Sequence, residues 1–139
     1  MDLERLEKQG LVRREAPDPH AARAALDRAE RDLRTAQNLL GVDPDWAFAI
    51  AYDAGLQACL ATMSARGYRA RSFDRHRTAI RFLAWALGEP SQALDALDDI
   101  RQKRHTVIYD LRGSTSTTEA ERAISVSRAV LGAAREHLT

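Results

Sequence analysis

The sequence predicts an all-α protein, an up-and-down bundle of about five helices preceded by a short appendage. Apolar residues recur at three- and four-residue intervals through most of the 139 residues. The periodic stretches are bracketed by capping residues and by glycine or proline. Strict alternation of apolar and polar residues over a strand length is absent. A hydrophobic content of 45% gives a chain of this length one ordinary core, and two independent domains would be cramped.

Residues 2–8 suit a short amphipathic helix ended by Gly10, and Pro17-Asp18-Pro19 then separates an appendage at residues 1–17 from a bundle at 18–139. Asp18 can cap a first long helix with Pro19 in its first turn. That helix carries Leu26, Ala29, Leu33, Ala36 and Leu40 and ends at Gly41. After the turn Val42-Asp43-Pro44-Asp45, residues 46–66 are apolar nearly all round the helical wheel, which predicts a central helix closed by Gly67. Ser72 is a candidate cap for a third, shorter helix with Ile80, Leu83, Ala84 and Leu87 on one face, broken by Gly88-Glu89-Pro90. Ser91 restarts the chain for a fourth helix through Leu94, Leu97 and Ile100, which is expected to stop near Gly113. Ser116 with Glu119 three residues on forms a capping-box pattern ahead of a fifth helix carrying Ala120, Ile124, Ser127, Leu131 and Ala134. Trp46, Phe48, Phe82 and Trp85 have apolar helical neighbours and are expected in the core.

The 21 basic and 20 acidic residues nearly cancel to +1, so no whole-molecule field argues for nucleic acid and any basic site must be local. The single cysteine, Cys59, cannot form an internal disulfide and reads as a small core residue. No stretch is long and apolar enough to span a bilayer, and the expected location is the cytoplasm. Cys/His metal spacing and Gly-rich phosphate loops are absent, so neither a metal nor a cofactor is expected.

The segment 101–110 concentrates the chemistry. At about 100° per residue, Arg101, His105 and Tyr109 form one ridge, while Arg104 falls within the apolar arc of Ala93, Leu97, Ile100, Val107 and Ile108. A guanidinium in such a place needs hydrogen bonds or an opposite charge. Asp53, with Gln57 one turn on, is the carboxylate in an otherwise apolar helix and the natural partner for Arg104 or Arg101. That pairing has a purely structural reading, a buried ion pair that sets helix register. His105 can also move protons near neutral pH, Arg101 or Arg104 can stabilise charge on a phosphate, and Tyr109 can position one. These groups suit metal-independent RNA cleavage by a ribose 2′-hydroxyl, with a second copy across a two-fold axis completing the site. Arg69, Arg71, Arg75, His76 and Arg77, near Tyr68 and Phe73, form a further basic cluster that suits either a phosphate backbone or a solvated helix start.

The stretch from Asp43 through Ala54, the loop Gly67-Tyr68-Arg69, His76 at the start of helix three and the stretch from Leu97 through Asp110 together resemble the HEPN superfamily of small α-helical proteins, over roughly residues 18–138. The resemblance implies a bundle that commonly dimerises, with the polar motif of each subunit facing a shared cleft. Many members are ribonucleases in toxin-antitoxin, phage-defence or RNA-processing systems, and others are non-catalytic RNA- or partner-binding modules. It lays Arg101, Gln102 and His105 on the family's arginine, polar residue and histidine, with Arg104 and Tyr109 beside them. Arg101 and His105 are separated by three residues where active members typically have about four to six, which turns the histidine by about 100°. The implied function is binding of RNA or a nucleotide, catalytic through Arg101 and His105 or non-catalytic, in a homodimer with an antitoxin-like protein as a further partner.

Overall fold

The starts of the two longest helices in the first half of the chain, and the end of the second of them, are each set by a residue that satisfies or breaks backbone hydrogen bonding. The computed structural model describes residues 3–105 and 115–139. They form α1 (Leu3–Lys8), β1 (Val12–Arg14), α2 (Pro19–Leu39), α3 (Pro44–Arg66), β2 (Tyr68–Ala70), α4 (Arg75–Leu87), α5 (Gln92–His105) and α6 (Thr117–Leu138). Asp18 and Asp43 accept from Ala21 N and Trp46 N to cap α2 and α3, and each helix has a proline in its first turn. Ser91 Oγ does the same for α5 by accepting from Leu94 N. Ser116 and Glu119 complete both bonds of a capping box at α6.

α3 is the central element. It forms a helical hairpin with α2, packs along α6, and also touches α4, α5 and β2. Thirteen of its residues are buried, which is why its sequence shows so little amphipathic contrast. The core is continuous from α2 (Leu26, Leu33) through α3 (Phe48, Tyr52, Leu56, Met63) to α4 (Phe82, Leu83), α5 (Leu97) and α6 (Ile124, Val130). Leu6, Leu11 and Val12 from the first seventeen residues join the same core. Cys59 is wholly buried, and burial pushes its thiol up to about 12. No described helix is long and apolar enough to cross a membrane.

The all-α expectation holds, with one addition. β1 and β2 pair antiparallel in the register Val12 with Ala70, Arg13 with Arg69 and Arg14 with Tyr68. The ribbon continues through Arg71 N to Leu11 O at 2.9 Å and Glu15 N to Gly67 O at 2.9 Å. Gly67 is required twice at this junction: its φ of 85° closes α3 in the left-handed region, and a Cβ there would lie 2.9 Å from the Glu15 carbonyl oxygen.

The ribbon also moves the start of the next helix. Because pairing holds the chain extended through Arg71, Ser72 does not cap; a turn intervenes and α4 starts at Arg75, after Asp74 at φ 56° with no side-chain cap. Trp46 departs from its expected place as well, being 50% exposed. It lies in the first turn of α3, ahead of the residues from Ala47 onward that enter the packed centre. Phe48 and Phe82 are buried as expected, and Trp85 is half-buried.

Candidate functional site

On α5 the helical repeat buries Leu94, Leu97 and Ile100 and brings Arg101 and Arg104 to the edge of that arc. Arg101 Nε donates to Asp98 Oδ1 at 2.9 Å, one turn back on its own helix. Arg104 reaches across to α3, where its guanidinium carbon stands 5.3 Å from the centroid of the Tyr52 ring. Its Nε is buried and has no hydrogen-bond acceptor among the described residues. Gln102 is exposed, and Lys103 forms an ion pair with Glu119 of α6.

Tyr52 is fully buried, and its hydroxyl lies 3.1 Å from Nδ1 of His76, the second residue of α4. The two rings sit 5.9 Å apart at 41°. Burial raises the phenol above its ordinary value of 10, against the pull of Arg104 and Arg101. Burial, and then Arg104 and Arg75, lower His76 below 6.5, while Asp53 pulls the other way and Arg101 adds to the lowering. At neutral pH both groups are therefore uncharged. The tyrosine hydroxyl and Nδ1 share one hydrogen bond, whose direction follows the imidazole tautomer.

Three helices thus converge in the order His76 of α4, Tyr52 of α3 and Arg104 of α5, with Arg101 and Asp53 close enough to act on the first two through space. The arrangement differs from the arginine–Asp53 fork expected from sequence. Asp98 holds Arg101 and the Tyr52 face holds Arg104; among the described residues no ion pair joins Asp53 to either arginine. A carboxylate at i,i−3 is already at hand for Arg101, and an aromatic face one residue before Asp53 takes the Arg104 cation instead. Asp53 is half-buried and acts by favouring the charged form of His76.

Sequence reading placed His76 in the basic cluster of residues 69–77, apart from the α5 segment, and assigned no site role to Tyr52. The signal for His76 was its place in the basic run after the Gly67 turn; Tyr52 lay hidden in a helix that is apolar on every side. His105 is the last residue of α5, but its side chain and Tyr109 lie outside the described residues. A depression of 790 Å³ around Arg81, Trp85 and Glu89 shares no residue with the cluster, which is marked out by its converging charge. Among the described residues no three His, Cys, Asp or Glu side chains converge as metal ligands would.

What the cluster offers chemically is cationic hydrogen bonding from arginine and a neutral imidazole N–H, both suited to an anionic oxygen. Comparison with curated proteins finds no match. A family model describing the HEPN domain matches residues 22–137, most of the chain and the whole of α3 to α5 on which the cluster is built, so the chain belongs to the HEPN domain family.

Proposed function

We propose that this HEPN protein binds RNA or a nucleotide at the α5 flank, with Arg101, Gln102, Arg104, His105 and Tyr109 as the contacting residues. The observation that carries the reading is Arg104. Its buried Nε has no acceptor among the described residues, although a buried donor left unmet costs about 1–3 kcal/mol. A phosphate oxygen supplies the missing acceptor and suits the guanidinium geometry. Family membership agrees in kind, since HEPN domains are tied to nucleotide- and RNA-related functions.

In its catalytic form the reading is a metal-independent endoribonuclease of a toxin-antitoxin or defence system, acting in the cytoplasm. The ribose 2′-oxygen attacks the adjacent phosphorus, its proton passes to His105, and the P–O5′ bond breaks as the 5′-oxygen takes up a proton. Arg101 stabilises the charge that grows on the non-bridging oxygens. A homodimer brings two copies of the flank to one cleft and so provides a second proton-transfer group. A second reading, a non-catalytic dimerisation or antitoxin-binding module, is favoured by Arg104 lying on the Tyr52 face, where a cation–π contact serves packing.

Incubating the full chain with RNA in chelator separates these readings. Cleavage that disappears in Arg101→Ala and His105→Ala at unchanged melting temperature supports the enzyme. A His105→Ala variant that still cuts at the wild-type rate sinks the assigned role. Wild-type protein that neither cuts nor binds RNA or nucleotide overturns the leading reading in favour of the partner-binding module.

A further inference from the structure

The outer face of the β1–β2 ribbon carries an arrangement that folding alone does not favour. Arg13 and Arg69 stand directly opposite each other in the antiparallel register, and like charges so placed destabilise a sheet. Arg71 follows Arg69 by two residues and so shares its face. With Ala70, Ser72 and Arg75 at the start of α4, these residues line a pocket of 320 Å³ that has no acidic side chain in its wall.

Neighbouring arginines are matched: Arg14 pairs with Glu7 and stacks on Tyr68, and Arg77 pairs with Asp74. The four pocket arginines have no ion pair among the described residues. In a chain whose charges sum to only +1, four guanidinium groups without an ion pair around one small concavity make a local positive field that attracts an anion.

We propose that this pocket is a phosphate-binding exosite that holds the backbone of single-stranded RNA on its way to the α5 flank. Guanidinium forks match phosphate oxygens two by two, and a concave wall lets several reach one group. Phe73, between Ser72 and Arg75, is 77% exposed and presents a flat apolar ring to an unstacked base, which single strands have and duplexes do not. Arg75 links the pocket to the candidate site, since it is adjacent in sequence to His76 and contributes to the field at that imidazole. Arg13 lies outside the family-matched residues 22–137, so one wall of the exosite comes from the segment that precedes the HEPN match. The inference rests on the RNA-binding reading and adds to it a place, a polarity of charge and a preference for single strands.

The test is fluorescence anisotropy on the full chain with a labelled oligouridine about twelve nucleotides long, titrated between about 50 and 200 mM salt. Arg13→Gln with Arg69→Gln is expected to weaken binding about tenfold and to flatten the slope of log affinity against log salt by about 1.4, the loss of two phosphate contacts on a single strand. Thermal stability should be unchanged or higher, because a like-charge pair has been removed. Phe73→Ala is expected to weaken binding by about tenfold with the salt slope unchanged. Wild-type affinity and slope in the arginine double variant overturn the exosite while leaving the α5 reading in place; wild-type protein that binds no oligouridine overturns the exosite together with RNA as the ligand of that flank. Inorganic phosphate that displaces the RNA at equal phosphate concentration overturns the polymer assignment in favour of free phosphate.

Discussion

Two neighbouring stretches of α3 meet their surroundings on opposite terms. At Gly55 the helix comes so close to α6 and α5 that an added Cβ would lie 2.7 Å from Ser127 Oγ and 3.0 Å from Leu97 Cδ1. At Tyr52, three residues earlier, the helix meets α4 and α5 through a hydrogen bond and a cation over a ring. The first contact depends on the absence of atoms and the second on the presence of particular ones. A close-packed seam fails when it is overfilled, whereas a buried polar contact fails when one partner is taken away.

That difference can be broken most sharply at the seam. Gly55→Val puts three carbons where there is no room for one, and should cost about 3 kcal/mol in urea denaturation. An unchanged midpoint would show that α3 and α6 can separate freely. The polar stretch should respond less, and in a way that a second change reverses. His76→Ala strands the buried Tyr52 hydroxyl and should cost about 1–3 kcal/mol, most of which returns when Tyr52→Phe is added, because no hydroxyl is then left to satisfy. Strictly additive losses in that cycle would mean that the hydrogen bond is not what couples the two residues.

The smallest effect on stability is expected from Arg104→Met, which keeps side-chain bulk over Tyr52 and sets the loss of a cation–π contact, about 1 kcal/mol, against relief of the buried Nε that lacks an acceptor among the described residues. Its clearer signature is electrostatic. His76 titrates below 6.5 in the folded chain, so on acidification the unfolded chain takes up that proton first. Stability is therefore full above about pH 6.5 and is lost as the pH falls from there to the folded value. Removing Arg104, the largest charge acting on His76, should raise the imidazole pKa in an NMR titration and narrow that window. A His76 titration that does not move would place Arg104 electrically apart from the imidazole.

Much of the fold was legible because its signals are local. Asp18 and Ser116 with Glu119 each act on amides within three residues, and a helix that is apolar all round can only be central. The ribbon was not legible: each strand is three residues long, too short for alternation to register, and its partner lies more than fifty residues away. The late start of α4 followed from that same unseen pairing. In the site, the arc that brings Arg101 and Arg104 together could be read from helical spacing. The choice between Asp53 and the Tyr52 face for Arg104 could not, since both side chains are on one helix turn and only packing decides which of them the cation meets.

The sequence by itself determined the succession of helices, the caps of α2 and α6, the centrality of α3 and the concentration of charge on α5, because each is carried by a pattern within one stretch of chain. Only the tertiary structure decided that His76 joins Tyr52, that Arg104 lies over an aromatic ring rather than a carboxylate, and that Arg13 comes to face Arg69. Those contacts link residues far apart along the chain, and their selection depends on how close the helices come and which buried groups find partners, quantities that no local pattern carries.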